Sequence, residues 1–142
     1  MIDNLTPVTE NDIVNISINR GAPMSLTIDC KKHHNGVHIL EVQGEITFEN
    51  ADEFREKIDS LCDENKAFIV VDLRDLKYMS SAGMGVLVHG LKKTRQLKGD
   101  LRISNLNSKM RRVFMITQFT HHFQVFKNTQ EAAESFLAES SR

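Results

Sequence analysis

The stretch Val70-Val71-Asp72-Leu73-Arg74-Asp75-Leu76-Lys77-Tyr78-Met79-Ser80-Ser81-Ala82-Gly83-Met84-Gly85-Val86-Leu87-Val88 constrains the fold more than any other part of this 142-residue chain. An apolar strand runs through a short loop into two serines, two small residues and an apolar-striped helix, the unit from which α/β folds are assembled. It places Ser81, with Ser80 before it, at a helix N-terminus, where free backbone N–H groups and the helix dipole favour negative charge. A serine in that position is either an N-cap or an acceptor of phosphate.

The flanking segments extend the α/β pattern. Met24, Leu26, Ile28 and Cys30 alternate with Ser25, Thr27 and Asp29, the period of a half-buried strand. The turn His33-His34-Asn35-Gly36 carries Asn-Gly, a strong hairpin signal, and the return strand is expected over residues 37–44. Asn50 and Glu53 have capping-box spacing before a helix whose apolar face is Ala51, Phe54, Ile58 and Leu61. The nearly unbroken apolar run over residues 67–73 reads as a central strand covered on both sides. After Ser81 a helix turns Met84, Leu87, Val88 and Leu91 inward and closes at Gly99-Asp100.

The alternation then continues. Leu101 and Ile103 mark a strand, and Asn107 or Ser108 caps a helix bearing Val113, Phe114 and Ile116. Phe123 and Val125 mark a further strand. Asn128 and Glu131 again have capping-box spacing, ahead of a helix whose stripe is Ala132, Ala133, Phe136 and Leu137. The order is ββαβαβαβα, an N-terminal hairpin followed by βα units, which implies an α/β fold with a mixed sheet and about four helices. This domain is expected over residues 24–140. Residues 1–23, rich in Asn, Thr and Asp without a sustained period, are expected to form a flexible extension, with a short extra strand conceivable at Ile13, Ile16 and Ile18.

Composition narrows the functions available. With 40% hydrophobic residues the chain suits one domain with a single core, and a net charge of −1 provides no global field toward nucleic acid or anionic lipid. Cys30 and Cys62 match no metal or redox spacing and read as small apolar fillers in a reducing compartment. No apolar run is long enough to span a membrane, and no basic-then-apolar leader opens the chain, so a soluble cytoplasmic protein is expected.

At Tyr78-Met79-Ser80-Ser81-Ala82-Gly83-Met84-Gly85 the chain resembles the signature of STAS domains, the family of bacterial anti-sigma factor antagonists and of sulfate-transporter C-terminal domains. The family form is an aromatic or apolar pair followed by Asp-Ser-(Ser/Ala)-Gly-(Leu/Met)-Gly at the start of a helix. Gly44-Glu45-Ile46 after the second strand is similar to the family's Gly-Glu-Leu-Asp. Two positions depart from the pattern: Ser80 and Thr47 stand where the family commonly has Asp, which leaves the site less negative.

The resemblance implies partner switching. Ser81, rather than Ser80, is the position phosphorylated by a serine kinase that doubles as an anti-sigma factor, and a serine phosphatase resets it. The unmodified protein binds the kinase and the phosphorylated form lets go. The expected contact surface comprises Met79, Ser80, Ser81, Ala82, Gly83 and Met84, flanked by Gly44, Thr47 and Phe48. Gly83 and Gly85 within the first helical turns cost about 1 kcal/mol each relative to Ala, so their expected use is close approach of another group, from within the fold or from a partner. The alternative is a STAS protein without phosphorylation: a scaffold, or the cytoplasmic subunit of a transport complex.

Other chemistries fit less well. Ser81-x-Gly83 matches half of a nucleophile elbow, but Met79 stands where that motif needs its first Gly, and no positioned His accompanies it. A receiver-type phosphate acceptor at Asp72 or Asp75 lacks an acidic pair after the first strand, and Asp72 reads as a hydrogen-bonding residue at a loop end. His33-His34 and His121-His122 are adjacent pairs without spaced partners, so no metal is expected. The basic groups Lys92-Lys93-Arg95-Lys98 and Lys109-Arg111-Arg112 read as solvated helix faces rather than a nucleic-acid surface. A binding module without enzymatic activity or cofactor is expected.

Overall fold

Strand β2 (His38–Ile46) organises the sheet, because both of its edges are occupied and one edge serves two partners in succession. On one side β1 (Leu26–Lys32) pairs with it antiparallel along its whole length, from Leu26 opposite Gly44 to Lys32 opposite His38. On the other side β3 (Phe68–Asp72) runs parallel to residues 38–41. The chain then leaves the sheet for three residues and returns as β4 (Leu76–Met79), parallel to the last part of β2 with Ile46 opposite Met79. The sequence pattern reads residues 74–79 as loop; the additional short strand forms because a shift of register at Gly44/Glu45 lets β2 accept a second partner. Beyond β3 the sheet continues in parallel through β5 (Asp100–Ser104) and β6 (Val125–Phe126). The computed structural model describes residues 25–33 and 35–140, with side chains as far as residue 137; residues 1–23, Met24 and His34 lie outside that range.

Helices cover both faces of this mixed sheet. Helix α1 (Ala51–Asp63), α2 (Ser81–Gln96) and α3 (Ser108–Ile116) share the main core. There Phe54, Ile58, Leu87, Leu91 and Phe114 pack on Leu40, Val42, Ile69, Val71, Leu101 and Ile103. On the opposite face α4 (Thr129–Ser140) lays Ala132, Ala133 and Phe136 on Val37, Ile39 and Val70. Val70 and Val71 thus serve opposite cores, as the unbroken apolar run requires of a strand covered on both sides.

Local signals set most element boundaries. Asn35 Oδ1 accepts from the Val37 N–H, and Gly36 takes φ +87°, which closes the hairpin. Asn107 rather than Ser108 caps α3, accepting from the Met110 N–H at 2.8 Å, and Asn128 accepts from the Glu131 N–H at 2.8 Å. Asn50 does not complete a capping box: its side chain makes no cap bond to α1 and is used in the preceding loop instead. Ile116 and Leu137, placed on buried stripes by periodicity, are 74% and 54% exposed; Ile116 is the last residue of α3, and Leu137 lies beside Phe136, which takes the buried position in that turn of α4. Cys62 is buried, and burial pushes its thiol up, whereas Cys30 is exposed on edge strand β1 and fills no core.

Two polar clusters tie elements together. Asp72 at the end of β3 accepts from the Arg74 N–H, from Asn105 Nδ2 and from Thr129 Oγ1, the loop-end role read from the sequence. Between α1 and α2, Asp59 meets His89 Nε2 at 2.6 Å and Lys93 Nζ at 3.1 Å. Burial alone would raise the Asp59 carboxyl, but hydrogen bonds from His89 and Lys93 outweigh it and hold it below its usual range.

Candidate functional site

The parallel pairing of β2 with β4 brings two chain segments out of the sheet side by side, since Ile46 and Met79 are register partners. The Ser80 N–H donates to the Ile46 carbonyl at 2.8 Å and carries the ladder one residue further. The two loops expected to carry the contact surface, one after β2 and one before α2, are therefore neighbours.

The first loop is tied down from within. Asn50 Oδ1 accepts from the Thr47 N–H at 2.7 Å, and Asn50 Nδ2 donates to the Glu45 carbonyl at 2.9 Å. Thr47 is buried, and its Oγ1 accepts from the Glu49 N–H at 3.2 Å. With both ends of the loop held, Phe48 is left pointing away from the core at 75% exposure. A large exposed aromatic on so constrained a loop is an informative surface feature.

The second segment separates the roles of the two serines. Ser80 is the N-cap of α2: it has extended backbone, is 3% exposed, and its Oγ accepts from the Gly83 N–H at 3.3 Å. Ser81 is the first helical residue and is exposed. The capping function therefore belongs to Ser80, and the Ser81 hydroxyl is available at the positive end of a 16-residue helix. Both departures from the family pattern become intelligible in this geometry. Ser80 and Thr47 each supply the oxygen that accepts a loop or cap N–H, which is work a carboxylate also does, and each does it without charge.

The glycines divide in the same way. A Cβ on Gly83 would lie 2.7 Å from both Ile46 Cγ2 and Met79 Cγ, so this residue lets α2 settle onto the ends of β2 and β4. Gly83 was expected among the contact residues, yet it is buried by its own fold. A Cβ on Gly85 would meet nothing within 4 Å, and Gly85 is exposed. Gly44, at φ +100°, supports the site from below, because a Cβ there would come within 2.1 Å of the carbonyl oxygen of Ser25, the residue just before β1.

Of the expected surface, then, Phe48 and Ser81 are exposed, Gly44, Ala82 and Met84 are half-buried, and Thr47, Met79, Ser80 and Gly83 form its buried support. Tyr78, 43% exposed on β4, was not in the expected set. No alternation within residues 76–79 marks it, because Lys77 and Tyr78 are both exposed between the buried Leu76 and Met79. Gly85 joins the exposed group. Among the described residues no three His, Cys, Asp or Glu side chains gather as a metal cluster would require, and no helix is long and apolar enough to cross a membrane.

The STAS domain family model matches residues 30–132 of the chain. Over 113 residues, 80% of this chain and 95% of the relative, it is 33% identical to BtrV of Bordetella bronchiseptica, named as a candidate anti-sigma factor antagonist. It is also 33% identical over 94 residues to the anti-sigma-B factor antagonist of Bacillus subtilis, covering 66% of this chain and 84% of that one. The crystal structure of an anti-sigma factor antagonist from Mycobacterium paratuberculosis shares the fold with a TM-score of 0.73 at 23% identity, covering 80% of this chain and 96% of that chain. The family model spans more than half of the chain, and two relatives share a third of the aligned residues with it; the chain belongs to the STAS domain family.

Proposed function

We propose that this protein is an anti-sigma factor antagonist that works by partner switching. In its unmodified form it binds an anti-sigma factor that is also a serine kinase, through Phe48, Tyr78, Ser81, Met84 and Gly85. Phosphorylation of Ser81 ends the complex, and a serine phosphatase restores it. The protein acts by binding, not by catalysis, and uses no cofactor. The observation that carries this reading is the division of labour at the helix start: Ser80 holds the cap while Ser81 stands exposed beside it.

Elementary electrostatics explains how one group can switch a complex and spare the fold. A phosphoserine adds about −1.5 to −2 charges and three acceptor oxygens. At the first position of α2 the helix dipole and first-turn N–H groups receive that charge, and the cap at Ser80 need not move. In a contact surface centred on Phe48 and Met84 the same charge would have to shed water against apolar groups, which opposes association.

Incubation with the cognate anti-sigma kinase and ATP should add one phosphate to the intact mass, and peptide mapping should place it on Ser81. Ser81→Ala should bind the kinase but ignore ATP, and Ser81→Asp should bind about tenfold or more weakly, equivalent to about 1.4 kcal/mol upward. Label on Ser80, or a Ser81→Asp protein that binds as tightly as the unmodified chain, would overturn the assignment.

A further inference from the structure

A cavity of about 410 Å³ lies between the second half of α2 and the chain that follows α3, away from the site described above. Its walls are apolar: Val88 and Leu91 from α2 face Phe119 and Phe123. The two phenylalanine rings are 5.3 Å apart, and both pack on the buried Phe114, so the aromatic wall is backed by the core. Its rim is basic. Lys92, Arg95 and His122 line the opening, and no acidic residue does. Arg95 is already committed, with Nε donating to Asp100 Oδ1 at 3.0 Å and Nη2 to the His122 carbonyl at 3.3 Å. The Thr117 hydroxyl is committed too, donating to the Val113 carbonyl at 2.7 Å. Lys92 is exposed and has no ion-pair partner among the described residues.

Such a cavity has the size and make-up of a small-molecule site, mostly apolar with a few convergent polar groups. We infer that it binds a small amphipathic carboxylate of the fatty-acid type, with its chain between Val88, Leu91, Phe119 and Phe123 and its carboxylate at Lys92 and His122. Charge complementarity selects the anionic head, because the Lys92 ammonium at the rim has no ion-pair partner among the described residues and no carboxylate lines the opening to attract a cation. Arg95 is ion-paired with Asp100 at 3.0 Å, so recognition of the carboxylate falls to the Lys92 ammonium. Lys92 lies about three turns along α2 from Ser81, roughly 16 Å down the axis, so this site is separate from the proposed partner surface.

Titration of the full chain with octanoate, followed by amide chemical shifts at low salt, tests the assignment. Saturable binding with Kd below about 1 mM is expected, with shifts clustered in residues 88–95 and 117–123. The uncharged 1-octanol should bind at least fivefold more weakly. Lys92→Glu should weaken octanoate about tenfold while leaving 1-octanol unchanged, and Val88→Trp should block both by filling the trough. Met84→Glu, on the proposed partner surface, should leave octanoate binding as it is. The inference is overturned by absence of saturable binding up to 5 mM octanoate, by shifts centred elsewhere, or by a folded Lys92→Glu protein that binds octanoate as well as the parent.

Discussion

A methyl group added at Gly83 and one added at Gly85 would meet opposite surroundings, although the two residues are neighbours in the first turns of α2. At Gly83 it would be driven against Ile46 and Met79 at 2.7 Å, so the helix propensity gained, about 1 kcal/mol, is set against an overpacking cost of about 1–3 kcal/mol. At Gly85 the space is open and only the propensity gain remains. Urea denaturation should therefore show Gly83→Ala less stable than the parent, by up to ~2 kcal/mol, and Gly85→Ala more stable by up to ~1 kcal/mol. Stabilisation by Gly83→Ala would show that Ile46 and Met79 do not hold α2 as described. The serines should separate in the same assay. Ser80→Ala removes a buried cap and should cost about 1 kcal/mol, Ser81→Ala should be close to neutral, and Ser81→Asp should be neutral or stabilising by up to ~1 kcal/mol. A Ser81→Ala loss as large as that of Ser80→Ala would move the cap to Ser81.

Among the elements, those announced by periodicity over many residues or by a turn signature could be read from the chain, and those created by tertiary pairing could not. Asn35-Gly36 marks the hairpin, and the helical spacing of Phe54, Ile58 and Leu61 marks the face of α1, because each records a local physical requirement. Strand β4 has only four residues and exists because β3 stops at Asp72 and frees the edge of β2, which nothing within residues 76–79 encodes. The exposed site followed the same rule. Ser81 and Phe48 were evident from motif and position, whereas the burial of Gly83 depends on Ile46 and Met79, distant or differently placed in the chain. Arg102 is the clearest case. A strand arginine reads as solvent-facing, yet it is 2% exposed beneath α4. There Nε pairs with Asp100 Oδ2 at 3.0 Å, Nη1 donates to Ser135 Oγ at 2.6 Å, and the guanidinium lies 4.0 Å from the centre of the Phe136 ring. Removing one partner of a buried pair leaves an uncompensated charge, so Asp100→Ala should cost about 3–5 kcal/mol. Arg102→Met should cost less, since it keeps packing under Phe136 and leaves Asp100 bonded to Arg95 at 3.0 Å. Equal losses in chemical denaturation would show that the pair's charge is not what this strand depends on.

At the scale of the whole molecule, the proposed switch at Ser81 needs a fold whose own stability is indifferent to charge there, and the titratable groups whose protonation is shifted by the fold lie elsewhere. His38 is one of them. It opens β2, is 7% exposed, and its Nδ1 has no hydrogen-bond partner. Burial, then the charges of Lys66 and Lys32, push its imidazole below the ordinary 6.5; a backbone bond to Gly36 and the Glu64 carboxylate oppose the shift without cancelling it. The unfolded chain therefore binds the His38 proton more readily than the folded one, and stability rises with pH wherever their protonation differs. The contribution of neutral His38 is complete above about pH 6.5 and is lost as pH falls through the lower folded value. Asp59 acts in a separate window. Its carboxyl is held below 3.8, so its contribution survives mild acid and is lost only at still lower pH. Urea midpoints measured between pH 8 and pH 5 should thus decline for the parent chain and stay nearly level for His38→Leu, while both proteins should weaken together below about pH 4. A parent and a variant that decline in parallel from pH 7 to pH 5 would show that a group other than His38 sets the acid limb.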